Sequence, residues 1–133
     1  MRPNVRATAD PVRDAARLVA AVVCAASAGI HAGLVIAHFD ESTILGILFV
    51  VDAALLGVAA LAVNDRRGGS RDVALVAAVL ASTALAYLLS RTTGLLGLTT
   101  EAEPVDGLGI FTTLAELVGV SACLLLIPRT ERP

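Results

Sequence analysis

Four uncharged or nearly uncharged stretches dominate the chain, at residues 18–39, 43–63, 73–90 and 108–127, with lengths of 22, 21, 18 and 20. A helix needs about 20 apolar residues to cross a hydrocarbon layer ~30 Å thick, so each stretch is long enough to span. A soluble four-helix bundle would carry a polar stripe along every helix. These segments are instead Ala, Leu and Val nearly all round. The pattern predicts an all-α, integral membrane four-helix bundle running up-down-up-down, a single four-span domain over residues 1–133.

The polar segments between the stretches read as connectors. Asp40, Glu41 and Ser42 form a tight hairpin, with Ser42 a suitable N-cap for the second span. Residues 64–72, rich in Arg, Gly and Asp, form a short turn. The 92–106 link carries Leu95, Leu96 and Leu98 among glycines, which leaves two placements open, on the membrane surface or tucked over the bundle. Residues 1–17 read as a cytoplasmic N-terminal segment. Four arginines precede the first apolar run as in a secretory signal, but the run exceeds an h-region of about 7 to 15 residues and reads as a retained helix.

Arginine distribution sets the expected orientation, because the loops are short. Nine arginines fall on the side of the termini and only Arg91 on the other, so both termini are expected in the cytoplasm. The formal net charge of −2 then resolves into +4 inside, −4 outside and −2 within the membrane. Among the 133 residues, 56% are hydrophobic and only 17% charged. There is no basic excess for nucleic acid, and two cysteines allow at most one bridge. The exclusive use of Arg over Lys, with abundant Ala, resembles proteins from GC-rich genomes, and that resemblance implies a bacterial inner membrane for the spans.

Asp52 and Glu116 are the two formal charges inside the four stretches. An ionisable group in a span costs about 2.5 to 3.5 kcal/mol on insertion scales and marks a functional site by default. Counted from the outer ends at 1.5 Å per residue, His31, Asp52 and Glu116 all lie roughly 12 to 14 Å deep, with Thr83 close to that level. Arg17, Cys24, His31 and His38 recur every seven residues, and Ser27 joins that stripe. Thr112, Glu116, Gly119 and Cys123 form a second stripe. Face-to-face packing of these antiparallel helices would bring His31 to Glu116 and Cys24 to Cys123. Thr83, Tyr87, Ser90 and Arg91 continue the polar theme on the third span.

Two accounts of His31, Asp52 and Glu116 remain open. They form a proton, cation or divalent-metal site, since burial and pairing pull such groups in opposite directions and allow exchange near neutral pH. Alternatively, they are a hydrogen-bonded network that fixes the helix register. His38, Asp40 and Glu41 form an outer rim, either cation-attracting or simply solvated. Arg91 either reaches inward to a carboxylate or snorkels to the interface. Cys24 and Cys123 read as small packing residues rather than a bridge. Haem is disfavoured, because His38 lies too near the surface to be a second ligand. No phosphate loop, nucleophile elbow or His-Glu-x-x-His helix occurs. Ala25, Gly29 and Gly33 make a small-residue ridge on the face opposite His31, for packing within the chain, on a second copy or on a larger membrane complex.

At Ala28-Gly29-Ile30-His31, at Leu89-Ser90-Arg91-Thr92-Thr93-Gly94-Leu95 and in the Glu116 helix, the chain resembles small four-span membrane proteins of actinobacteria that have no assigned activity. The resemblance implies a location and a fold and carries no mechanism. The residues themselves favour a small binding or translocation module for a proton, cation or metal. A non-catalytic accessory subunit packing through Gly29 and Gly33 is the alternative, and a membrane enzyme using the same three residues is third.

Overall fold

In a computed structural model that describes residues 10–94, 102 and 104–127, the chain forms four helices: α1 (Pro11–Glu41), α2 (Thr43–Asn64), α3 (Ser70–Thr92) and α4 (Gly107–Leu126). All four are long and apolar enough to cross a membrane. Their outer faces are aliphatic: Ile36 and Leu61 are each 76% exposed and Leu75 is 66% exposed. In water such a surface would far exceed the apolar patch that a soluble monomer tolerates. In lipid it is the expected exterior.

Helix α1 starts seven residues before its apolar run, inside the segment expected to precede the helix. The cause is local. The Asp10 carboxylate accepts from the Val12 and Arg13 N–H groups at 3.0 and 3.4 Å, and Pro11 occupies the first turn, where its missing N–H is harmless. At its other end α1 runs through Asp40 and Glu41, so the expected three-residue hairpin shrinks to Ser42 alone, in extended conformation. The Ser42 N–H donates to the His38 carbonyl at 2.9 Å. Its side chain, proposed as a cap, makes no capping bond to α2. Tightness comes instead from Gly46, where any Cβ would collide with the Phe39 ring.

The α2–α3 turn is held by Asp65, which accepts from the Arg67 N–H at 2.9 Å, and by Asp72, which accepts from the Gly69 N–H at 2.8 Å. Asp106 caps α4 by accepting from the Gly109 N–H at 2.7 Å. Leu95, Leu96 and Leu98, whose placement the sequence left open, lie outside the described residues.

Each helix packs on its neighbours in sequence, and α1 also packs on α4, which closes the ring. Two arginines fasten the end where α1 begins. Arg13 donates to the Leu126 carbonyl at 2.7 Å, and Arg17 donates to the Val63 and Asp65 carbonyls at 2.9 and 3.3 Å. They satisfy carbonyls that the ends of α4 and α2 would otherwise leave open, and place positive charge at the negative poles of those helices. Arg66 adds an exposed pair with Asp14 at 3.0 Å.

The interior divides into two halves. At the Arg13 end, Ala16, Ala20, Cys24, Leu56, Ala59, Val63, Val73, Val76, Leu80, Ala122, Cys123 and Leu126 make one apolar core. At the other end, the second half of α1 and α3 and the first half of α2 and α4 surround a cavity of about 520 Å³.

Candidate functional site

The cavity half receives polar groups from every helix, because each helix places its uncommon polar residues on its inward face at that end. His31 and His38 come from α1, Asp52 from α2, Thr83, Tyr87, Ser90 and Arg91 from α3, and Thr112, Thr113 and Glu116 from α4. Leu34, Leu45, Leu48 and Leu55 supply much of the remaining wall.

A continuous polar chain runs across the bundle at the floor of this cavity. Thr83 Oγ1 donates to Asp52 Oδ1 at 3.1 Å, and Asp52 Oδ2 lies 3.3 Å from His31 Nε2. His31 Nδ1 is 2.9 Å from the Ser27 carbonyl and 3.4 Å from Ser27 Oγ, and Ser27 Oγ donates to Glu116 Oε1 at 2.6 Å. Ser27 and Glu116 are only 3% and 1% exposed. All four helices are therefore cross-linked at one level by side chains.

The geometry constrains the protons. A carbonyl only accepts, so His31 Nδ1 carries a hydrogen for the Ser27 carbonyl. A neutral ring then turns the lone pair of Nε2 toward Asp52. Two lone pairs at 3.3 Å repel, so the contact is favourable only when the pair holds one further proton. A proton on Nε2 would make an imidazolium–carboxylate pair, and one on Oδ2 a neutral pair. Thr83 is adjustable in the same way, because its single hydrogen has both Asp52 Oδ1 and the Val79 carbonyl, at 3.0 Å, within reach.

The partner of Glu116 differs from the expected one. Ser27, one turn before His31, meets Glu116, and His31 joins it only through Ser27. On α4, a Cβ at Gly119 would lie 2.8 Å from Leu80 Cδ1 and 3.0 Å from Val23 Cγ1, so the absence of a side chain lets both residues close in. Both cysteines are buried free thiols within the apolar core. Among the described residues, no three His, Cys, Asp or Glu side chains are gathered so as to hold a metal ion.

Toward the rim, His38 stacks on Phe49 with centroids 3.6 Å apart, and its Nδ1 donates to the Leu34 carbonyl at 2.9 Å. The His31 ring lies 5.2 Å from the same Phe49. Arg91 also lies at this rim. Its guanidinium pairs with Asp106 at 2.8 Å and lies 4.7 Å from the Tyr87 ring centroid. Tyr87 in turn donates to the Asp106 carbonyl at 3.3 Å and packs directly on Gly109, so α3 and α4 are latched together at this end. Asp40 and Glu41 are exposed. Thr112 donates to the Leu108 carbonyl at 2.8 Å.

Three features went unread in the sequence. Phe49 lies among aliphatic residues with no polar pattern to single it out, yet it carries both histidine rings. Arg13 and Arg17 were counted for orientation, and their position one turn apart beneath two helix C-termini was the available signal. Thr113 gave none: it is 7% exposed, and its hydroxyl has no hydrogen-bond partner among the described residues. Gly29 and Gly33 sit on an exposed face, where an added Cβ would meet nothing within 4 Å. Among the described residues, the two glycines of the ridge therefore pack against no other helix of the chain.

No family model matches the chain, and neither a curated protein nor a solved structure matches it.

Proposed function

We propose that the chain is a multi-pass protein of a bacterial inner membrane, crossing up-down-up-down with both termini in the cytoplasm, and that its outer half is a binding pocket for a proton or cation. The observation that carries this reading is the His31–Asp52 contact, which a shared proton would stabilise, at the floor of a cavity that also holds the buried Glu116. The polar chain links two carboxyls through groups that both give and take hydrogens, which is what proton exchange needs. The packed core beneath offers only the weakly hydrogen-bonding thiols of Cys24 and Cys123, so the pocket serves binding from the outer side rather than free passage through the bundle. The arginine asymmetry, the aliphatic exterior and the actinobacterial resemblance support the placement.

Infrared difference spectroscopy on the protein in lipid tests the reading. Stepping pH, or Na+ concentration at constant ionic strength, should produce a carboxyl signal that Asp52→Asn or Glu116→Gln removes. A spectrum with no carboxyl response to either step would overturn it.

A second reading is favoured by the open face at Gly29 and Gly33, namely a subunit that docks on another membrane helix, either of a second copy or of a larger complex. It predicts that Gly29→Leu/Gly33→Leu releases a partner from the protein extracted in mild detergent. Unchanged size and composition would remove it.

A further inference from the structure

We propose that the cavity takes a primary ammonium on an apolar body, with the head held by Glu116 and Thr113 and the body lying against Leu34, Leu45, Leu48 and Leu55. The inference rests on the reading of the pocket as cation-binding and names the class of cation.

Three observations converge on it. The first is size. About 520 Å³ lies within the range of pockets for small organic ligands and is far larger than a bare ion requires. The second is the distribution of bonded and unbonded oxygens. Asp52 is engaged by Thr83 and His31, whereas Glu116 receives one hydroxyl, from Ser27, on one of its two oxygens. Thr113 lines the same cavity one turn away on α4, and its buried hydroxyl lacks a partner among the described residues. A carboxylate and a hydroxyl at helical spacing i, i+3 make two adjacent acceptors, and an ammonium offers three donors.

The third observation is the wall. A hard metal ion wants six to eight oxygens and a compact cage. Here the two interior acids are split between different partners, and leucines cover much of the surface. An anion would face two acids, because the one arginine lining the cavity is held at the rim by Asp106. An ammonium with an aliphatic or aryl tail satisfies both the acceptors and the apolar wall, and the low dielectric around Glu116 strengthens that pairing.

Tyr87 is the only tyrosine of a chain without tryptophan, and it lines the cavity, so its fluorescence is a built-in reporter. The experiment titrates 4-phenylbutylammonium into the full chain in lipid nanodiscs, with pentylbenzene as the neutral isostere and NaCl alone as the ionic control. The expected result is saturable quenching by the ammonium only. Binding should weaken by at least about tenfold in Glu116→Gln, the loss of one charge-assisted pair. It should be largely restored in Glu116→Asp and weakened severalfold in Thr113→Val, a near-isosteric change that decides the matter if the Gln variant fails to fold.

Equal binding of pentylbenzene, with Glu116→Gln and Thr113→Val unaffected, would overturn the proposal and leave an apolar pocket. A response to Na+ with none to the ammonium would also overturn it, while sparing the broader cation reading. Silence toward all three probes, with an intact carboxyl signal in the infrared, would reduce the site to proton binding and overturn the ammonium assignment.

Discussion

The two ends of the bundle use the same helices and nearly the same amino-acid palette, yet they bury different things. At the Arg13 end, Ala16, Ala20 and Ala59 let the helices approach closely, and Leu56, Leu80 and Leu126 fill the space between them. At the His31 end, larger side chains, a stacked His38–Phe49 pair and a latched Arg91 hold the helices around a space that they do not fill. Helix association in lipid gains little from the hydrophobic effect and depends on close packing and hydrogen bonds. One end relies on the first and the other on the second. The packed end is the foundation, and it frees the polar end to keep an unfilled interior lined by hydrogen-bonding side chains.

Substitutions at the two ends should differ in cost. The largest effect is expected from Leu80→Asn, which puts an unpaired amide into a site of 0% exposure and should lower stability by more than about 3 kcal/mol. The parallel change Leu34→Asn, at the cavity wall, should cost about 1 kcal/mol or less. Thermal melting in detergent compares them, and equal losses would erase the distinction between the halves. Gly119→Val comes next, at about 1 to 3 kcal/mol from overpacking against Leu80 and Val23, with loss of the Ser27–Glu116 bond as helix α4 shifts. Ser27→Ala strips Glu116 of its hydroxyl donor and should cost a similar or slightly smaller amount, about 1 to 2 kcal/mol, while Cys24→Ala in the dry half should leave the carboxyl infrared signal untouched. The smallest effect is expected from Gly29→Ala, within about 0.5 kcal/mol in the isolated chain, because its Cβ would meet open space. A clear loss there would reveal a covered face.

The four spans were legible because period, length and the near absence of charge all agree when a helix must face lipid. Boundaries were less so. Helix α1 begins at a polar cap, Asp10-Pro11, which hydropathy does not register, and it ends past two acids that belong to its last turn. Counting depth from the helix ends grouped His31, Asp52, Thr83 and Glu116 at one level, and the bonds among them lie there. The partners within that level were not legible. Pairing His31 with Glu116 assumed that equal seven-residue spacings align, whereas the hydroxyl that reaches Glu116 is that of Ser27, one turn earlier on α1. Thr113 was invisible for a related reason. A threonine in a span normally bonds back to its own helix, as Thr112 does, and only the packed structure distinguishes one that does not.

Accessibility of the two halves to water tests the central claim most directly. In a Cys24→Ala/Cys123→Ala background, single cysteines at Ser82, Thr112, Ala59 and Leu80 can be exposed to a membrane-impermeant thiol reagent from either side of sealed vesicles of known orientation. Ser82→Cys and Thr112→Cys should be modified from the outer side alone, and Ala59→Cys and Leu80→Cys from neither. Labelling of the packed half, or labelling of the cavity positions from the cytoplasmic side, would contradict it.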